Sequence, residues 1–131
     1  MRLLIVTAAL LCVAGCDESV TGPSIPLNSE FELQPGQSAL VDSASMTVRF
    51  NNVSNDSRCP GDAICILGGD AIVNVTAQSQ NSTRDYELHT GDMRPVQHDG
   101  RTIALLQLTP YPFSARPIQA QDYRATLRVT R

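Results

Sequence analysis

Residues 56–71 read Asp-Ser-Arg-Cys-Pro-Gly-Asp-Ala-Ile-Cys-Ile-Leu-Gly-Gly-Asp-Ala, and this stretch separates the two clearest strand patterns of the chain. Before it, Met46, Val48 and Phe50 alternate with polar residues, and after it apolar residues alternate again over 71–77. An alternation of period two is typical of a half-buried strand. The stretch between is rich in Gly, Asp and Pro, which favour turns. It therefore predicts a loop that joins two consecutive strands.

Two cysteines within this loop, Cys59 and Cys65, enclose the turn-forming sequence Pro-Gly-Asp-Ala-Ile. In an oxidising compartment such a pair usually forms a disulfide. Closing this short loop would remove about 2.4 kcal/mol of unfolded-state entropy in the chain-entropy model. Zinc is the alternative, but structural zinc uses a tighter Cys-x2-4-Cys spacing and two more ligands nearby. The two histidines, His89 and His98, lie far downstream, so the spacing favours a disulfide.

The rest of the mature chain is predicted to be all-β. Short alternating segments begin near Glu30, at Tyr86 and at Tyr123, and the dipeptide Asp99-Gly100 is a strong hairpin signal. No segment has an amphipathic helical pattern of useful length. About seven short strands separated by turn signals predict an antiparallel β-sandwich, or a barrel-like sandwich, with one short-loop disulfide.

The N-terminal segment has the features of a targeting signal. Arg2 precedes an apolar run, Leu3 to Val13, that is interrupted only by Thr7. The run is too short to span a bilayer, which needs about 20 residues, and it fits the apolar core of a signal peptide. An ordinary secretory cleavage site would fit this run as well.

The run ends in Val13-Ala14-Gly15-Cys16, which resembles the lipobox of bacterial lipoproteins. This resemblance implies that Cys16 is lipidated and becomes the mature N-terminus, and that Cys12 leaves with the signal peptide. We therefore expect a lipoprotein signal peptide at 1–15, a lipid-anchored flexible tether at 16–29 and a β-sandwich domain at 30–131. The protein would lie in the bacterial cell envelope, attached to a membrane through Cys16 and facing the periplasm or the exterior.

Charge and composition exclude some partners. The chain has 10 Lys and Arg residues against 13 Asp and Glu residues, a formal net charge of −3. It contains no basic cluster, so it lacks the charge balance of a nucleic-acid-binding protein. An envelope protein or a small ligand remains as the expected partner.

A second resemblance concerns the mature domain. Asp56-Ser57-Arg58-Cys59-Pro60, followed by Cys65 and by Gly69-Asp70-Ala71, resembles a motif of small uncharacterised bacterial exported β-proteins. The segments Leu108-Thr109-Pro110-Tyr111-Pro112 and Tyr123-Arg124-Ala125 resemble the same group. The resemblance implies a common folded unit, and it implies no chemistry.

Acidic and histidine residues offer two candidate metal sites. Asp56, Asp62 and Asp70 surround the cysteine turn, and calcium binds several oxygen ligands of this kind. Their spacing matches no calcium loop, and aspartate is common in solvated turns. A second set brackets a predicted hairpin and combines two histidines with carboxylates, namely His89, Asp92, His98 and Asp99. Both sets are more simply interpreted as solvated residues, so we expect no metal and no cofactor.

Together with Asp56, Asp62 and Asp70, three further residues are candidates for a binding surface. Arg58 adjoins the cysteines and several acids, so an internal ion pair is favoured over recognition of a partner. Tyr111 and Phe113 belong to a proline-rich segment, 109–119, in which prolines stiffen the chain and aromatics supply contact area at low entropy cost. The simpler interpretation is that these two rings close one end of the core.

Sequence motifs give little support to catalysis. Ser57 and Ser114 lie in no Gly-x-Ser-x-Gly context, and the chain has no phosphate loop or dinucleotide fingerprint. We expect no catalytic residue. The leading hypothesis is a lipid-anchored, non-catalytic binding or structural module. A metal- or small-ligand-binding lipoprotein that uses the Asp-rich turn is the alternative, and an envelope hydrolase is third.

Overall fold

The structure is a computed structural model that describes residues 22–43 and 45–131. The predicted signal peptide, the lipidation of Cys16 and the first part of the tether lie outside these residues. Within the described ranges, no helix is long and apolar enough to cross a membrane.

The described chain forms nine strands in two sheets. The strands are β1 (Ser24–Ile25), β2 (Glu30–Leu33), β3 (Ser38–Val41), β4 (Met46–Ser54), β5 (Ile72–Ser79), β6 (Thr83–His89), β7 (Val96–His98), β8 (Arg101–Thr109) and β9 (Arg124–Thr130). The sheets have the orders β1-β3-β4-β5-β6 and β2-β9-β8-β7. They pack against each other and do not close into one sheet, which confirms the predicted all-β sandwich.

The core lies between the two sheets because successive side chains of a strand point to opposite faces. Along β4, Met46, Val48 and Phe50 are buried and the residues between them are not, and the central parts of β5 and β9 show the same alternation. The largest fully buried side chains come from both sheets, among them Phe50 and Val75 from one and Leu127 and Val129 from the other. Burial of such apolar area supplies most of the driving force for folding.

The two ends of the sandwich differ in their loops. At one end, Ser54 of β4 lies opposite Ile72 of β5, and the predicted loop joins them. We call this the cysteine end. At the other end, Asp99 and Gly100 connect β7 and β8, both with positive φ (45° and 74°). Two residues of this kind are typical of a tight two-residue hairpin turn, and the predicted hairpin is therefore confirmed.

The first sheet begins earlier than the predicted domain boundary at Glu30. β1 pairs in parallel with β3, and the backbone N–H of Leu40 donates to the carbonyl of Pro23 over 3.0 Å. The N–H of Asp42 donates to Ile25 over 3.1 Å. Part of the segment predicted as a free tether, 16–29, therefore belongs to the sheet. A two-residue strand has too little periodicity for its sequence pattern to reveal it.

Candidate functional site

The loop at the cysteine end is closed by the predicted disulfide. Cys59 and Cys65 are bonded, with their Cα atoms 6.0 Å apart. Since both sulfur atoms are used in this bond, the pair is not available as zinc ligands in this structure. The bond closes a small loop that projects from the sandwich, because residues 61–68 are all exposed.

Removing both cysteines by the double substitution Cys59→Ala and Cys65→Ala is expected to lower the melting temperature by several degrees. The chain-entropy model assigns about 2.4 kcal/mol to a loop of this size, and about 1 kcal/mol corresponds to several degrees in a small domain. Thermal unfolding followed by circular dichroism measures the change. Reduction of the wild-type protein should produce a similar shift, and an unchanged melting temperature in both experiments would contradict a stabilising bond.

Arg58 fastens this loop to the second sheet. It is only 8% exposed, and its Nε and Nη2 atoms donate to the carboxylate of Asp56 over 2.9 and 2.7 Å. Nη1 donates to the carbonyl of Leu108 over 2.8 Å, and Nη2 also donates to that of Pro110 over 3.0 Å. The Tyr123 hydroxyl donates to Asp56 over 2.9 Å. Arg58 and Asp56 therefore lie inside the molecule and hold the loop in place, as the favoured interpretation of Arg58 predicts.

The ionisation of this buried group follows from its hydrogen bonds. Burial alone would raise the pKa of Asp56, but the bonds from Arg58 and Tyr123 outweigh burial and hold the pKa below its ordinary value. Burial, together with donation to the Asp56 carboxylate, raises the pKa of Tyr123 to about 12. At neutral pH the cluster therefore consists of a charged Asp56, a charged Arg58 and a neutral tyrosine.

Asp62 ties the disulfide loop to the proline-rich segment. Its carboxylate accepts hydrogen bonds from the backbone N–H and the hydroxyl of Ser114 over 2.9 and 3.2 Å. The N–H of Gly61 donates to the carbonyl of Pro112 over 2.9 Å. The bond from the Ser114 N–H is the main reason that the pKa of Asp62 is lowered. The two loops of the cysteine end are therefore joined into one surface.

The carboxylate of Asp70 is bonded to the last residue of β6 and to the turn that follows this strand. It contacts Nδ1 of His89 over 2.6 Å and accepts the N–H of Gly91 over 2.8 Å. Partial burial works to raise the pKa of Asp70, yet these bonds lower it on balance. The contact with Asp70 is in turn the main reason that the pKa of His89 is raised.

The pair of His89 and Asp70 predicts a pH dependence that NMR can measure. His89 should titrate above the ordinary value of 6.5, and Asp70→Asn should lower that midpoint. Because the pKa of His89 is raised and that of Asp70 lowered, the pair stabilises the fold between about pH 4 and 6.5. Its contribution falls as pH drops through the pKa of Asp70 or rises through that of His89. Asp92→Asn is the control, with a smaller expected change, and an unchanged midpoint in Asp70→Asn would contradict the pairing.

The two histidines do not form a common metal site. His89 lies opposite Ile72 at the cysteine end, whereas His98 lies opposite Arg101 beside the β7–β8 turn. His98 is 3% exposed, and its Nδ1 atom is 3.1 Å from the hydroxyl of Tyr86. Both histidines flank the same predicted hairpin in the sequence. Their rings nevertheless lie apart, because β6 and β7 run to opposite ends of the sandwich.

The three aspartates of the loop also remain apart. Asp56 faces Arg58, Asp62 faces Ser114 and Asp70 faces His89, so each carboxylate has its own protein partner. Across residues 22–43 and 45–131, no group of three or more His, Cys, Asp or Glu side chains is placed to hold a metal ion.

The two serines considered as nucleophiles have structural contacts. The hydroxyl of Ser57 donates to the carbonyl of Asp70 over 2.9 Å. The hydroxyl of Ser114 donates to Asp62. A serine nucleophile requires an adjacent general base such as histidine, and these two hydroxyls are directed to other groups.

Large apolar side chains are exposed at the cysteine end. Tyr111 and Phe113 are 56% and 50% exposed. The rings were expected to close the core, and that interpretation is wrong, because Tyr123 and Leu108 occupy the buried positions there. Phe113 instead lies beside the backbone of Gly61 on the disulfide loop. Both rings are available for contact.

The apolar residues of the loop itself are exposed as well, and they belong to none of the sequence-predicted sites. Ile64 and Ile66 are each 102% exposed and Leu67 is 82% exposed. We call these three residues the apolar tip. Their signal was present in the sequence, since three large aliphatic residues fall within a loop, 60–70, otherwise made of Pro, Gly, Asp, Ala and Cys.

A groove of about 340 Å³ lies between the disulfide loop and β8. Met93, Leu106 and Tyr111 supply apolar surface to it, and Gly69 and Arg58 form part of its wall. The guanidinium of Arg58 lies 5.5 Å from the centre of the Tyr111 ring, a cation–π contact that holds the ring at the rim. We call this the cysteine-end groove.

One edge of β8 is open along the groove. β7 pairs with β8 only as far as Val96 opposite Ile103. In the sheet that the structure describes, the remainder of β8 up to Thr109 has no strand partner on that side.

Comparison of the chain with protein-family models, with curated proteins and with solved structures found no match. The geometry of the cysteine end is therefore the basis for a functional proposal.

Proposed function

We propose that this protein is a lipid-anchored cell-envelope protein whose β-sandwich is a non-catalytic binding module. The predicted anchor is the lipid on Cys16, at the end of a lipobox-like sequence. The predicted binding region is the cysteine-end groove, and its partner is an envelope protein or a ligand with apolar surface. The observation that carries the proposal is the exposure of large apolar side chains around a groove, in a loop region held by a disulfide and by the hydrogen bonds of Arg58.

Exposure of this kind distinguishes the cysteine end from an ordinary surface. Soluble domains rarely present several neighbouring large apolar side chains unless these contact a partner. The residues concerned are Met93 and Tyr111 in the groove, Phe113 beside Gly61, and the apolar tip. The disulfide and the hydrogen bonds of Arg58 restrict the conformations of this loop. This restriction lowers the conformational entropy that is lost on binding.

The alternatives have weaker support. A metal-binding role for the Asp-rich turn needs several carboxylates directed at one point, and Asp56, Asp62 and Asp70 point at different protein groups. A hydrolase needs an activated nucleophile, and the hydroxyls of Ser57 and Ser114 contact a carbonyl and a carboxylate.

The anchor is tested by Cys16→Ser. The wild-type protein should carry an acylated N-terminal cysteine in its mass spectrum and enter the detergent phase of a temperature-induced phase separation. Cys16→Ser should lose the acyl mass, because no thiol is available for lipidation. Cys12→Ser is the matched control and should remain acylated, since Cys12 is expected to leave with the signal peptide. Equal masses for the mature wild-type and Cys16→Ser chains, apart from the substitution, would refute lipidation.

The binding region is tested by cross-linking the tagged protein in its own envelope. A partner of the groove should be recovered with the wild type and lost with Tyr111→Ser, because this change removes the ring at the rim. Asn81→Ser, an exposed position in the β5–β6 turn, is the control and should retain the partner. A partner captured equally by all three forms would place binding elsewhere.

A further inference from the structure

The apolar tip is an unusual feature even for a binding surface, because its two isoleucines are fully exposed. We propose that Ile64, Ile66 and Leu67 insert into the surface of the lipid bilayer to which the protein is anchored. The cysteine end would then face the membrane. This inference rests on the proposed lipid anchor for the identity of the membrane, and its test below is independent of natural lipidation.

The shape of the tip favours lipid over a protein pocket. Ile64 and Ile66 are fully exposed on a projecting loop, whereas the concave surface of this end is the groove beside them. A projecting aliphatic side chain needs no complementary cavity in a fluid bilayer. Ile and Leu are also among the side chains that enter hydrocarbon most readily.

The charges near the tip permit insertion. Residues 63–69 carry no ionisable side chain apart from the bonded Cys65. The flanking carboxylates, Asp62 and Asp70, are hydrogen-bonded to Ser114 and to His89 on the body of the domain. Insertion of the tip alone therefore does not require a charge to enter the hydrocarbon.

Aromatic residues lie where an interfacial belt would be expected. Tyr111 and Phe113 are half-exposed on the proline-rich segment, which is joined to the disulfide loop through Gly61 and Pro112. Tyrosine is enriched at the headgroup level because its ring is apolar and its hydroxyl is polar. The tip and the two rings would thus meet successive layers of one lipid surface.

The position of the N-terminal chain is consistent with this orientation. β1 runs parallel to β3, from the Ser38 side toward Val41, so it runs away from the cysteine end, and the described chain begins at Gly22 near the middle of the first sheet. Ser38 lies opposite Arg49, and the strand from Arg49 to Ser54 rises about 17 Å toward that end.

The length of the preceding chain matches that distance. The chain from Cys16 to Gly22 spans at most about 20 Å when extended. A lipid on Cys16 can therefore reach the level of the cysteine end. Since the reach is short, an anchored domain would stay close to the bilayer.

The absence of tryptophan from the chain allows a direct test. Two single-tryptophan reporters, Ile66→Trp at the tip and Asn81→Trp at the opposite end, would be made in the chain from Cys16 onward. This part contains every strand that the structure describes. The free thiol of Cys16 would be coupled to a maleimide lipid in vesicles of phosphatidylethanolamine and phosphatidylglycerol that contain a brominated phosphatidylcholine. Coupling replaces natural acylation, so failure of the lipobox interpretation does not affect the result.

Insertion predicts that bromine quenches the Ile66→Trp reporter several-fold more than the Asn81→Trp reporter, with a blue shift of emission in the first only. Adding Ile64→Ser and Leu67→Ser to the Ile66→Trp chain should reduce that quenching, since the rest of the tip is then polar. Equal quenching of the two reporters, or none in either, would overturn the proposal. The same conclusion would follow if the tip reporter were quenched regardless of the two serine substitutions.

Discussion

Replacing Arg58 by alanine is expected to lower the free energy of unfolding by about 3–5 kcal/mol, the range for breaking a buried ion pair by removing one partner. The side chains of Arg58 and Asp56 are only 6% and 12% exposed. Without the guanidinium, Asp56 is left as a buried carboxylate whose remaining side-chain donor is Tyr123. The carbonyls of Leu108 and Pro110 also lose their Arg58 donors.

Urea unfolding followed by circular dichroism measures this change. Arg94→Ala is the matched control, because the pair of Arg94 with Asp92 is exposed and should contribute less than about 1 kcal/mol. Arg58→Lys should fall between the two, since lysine keeps the charge but not the planar fork of donors. If Arg58→Ala and Arg94→Ala have the same stability, the cluster does not hold the loop as described.

A second large effect is expected at Gly69, in the wall of the groove. A Cβ atom added there would overlap the carbonyl oxygen of Ser57 and come within 2.8 Å of the Cα of Arg58. Both neighbours are backbone and cannot rotate away. Gly69→Ala should therefore separate the two arms of the loop and destabilise the protein by about 3 kcal/mol, the upper part of the usual range for overpacking.

The neighbouring glycine supplies the control for this prediction. A Cβ at Gly68 would meet nothing within 4 Å, so Gly68→Ala should change the unfolding free energy by less than about 0.5 kcal/mol. Melting temperatures of the two variants, measured side by side, decide the question. Two variants of equal stability would mean that the arms of the loop do not approach each other closely at Gly69.

These two residues connect stability with the proposed binding surface. Arg58 holds the loop on the second sheet and also supports the Tyr111 ring at the rim of the groove. Gly69 permits the close approach of the two arms from which the tip projects. Substitutions at either position should therefore weaken binding through loss of the loop's conformation. For this reason the binding tests use Tyr111, Ile64, Ile66 and Leu67, which are exposed.

Much of the fold could be predicted because its signals are local. A period-two alternation in β4, β5 and β9 shows which side chains are buried, since neighbouring residues of a strand face opposite sides. The Asp99-Gly100 turn follows from the backbone preferences of its own two residues. The Cys59–Cys65 bond joins residues close in sequence, so spacing alone was informative. The predicted anchor at Cys16 is also a local signal and stays a prediction.

The candidate site depended on contacts between residues far apart in sequence. Arg58 is buried because Leu108 of β8 and Pro110 just after this strand supply its acceptors, and Asp56 needs Tyr123. The strand order places His89 and His98 at opposite ends of the sandwich. The spacing of the two residues in the sequence does not reveal this separation.

The strand pattern, the tight turns and the disulfide follow from local stretches of sequence, because each depends on residues that are close along the chain. Packing of the two sheets decided which polar groups turn inward, which aromatic rings stay outside the core and that the tip projects unpartnered. The physical reason is that burial and hydrogen bonding depend on every segment that meets at a point. At the cysteine end those segments adjoin β4, β5, β6, β8 and β9.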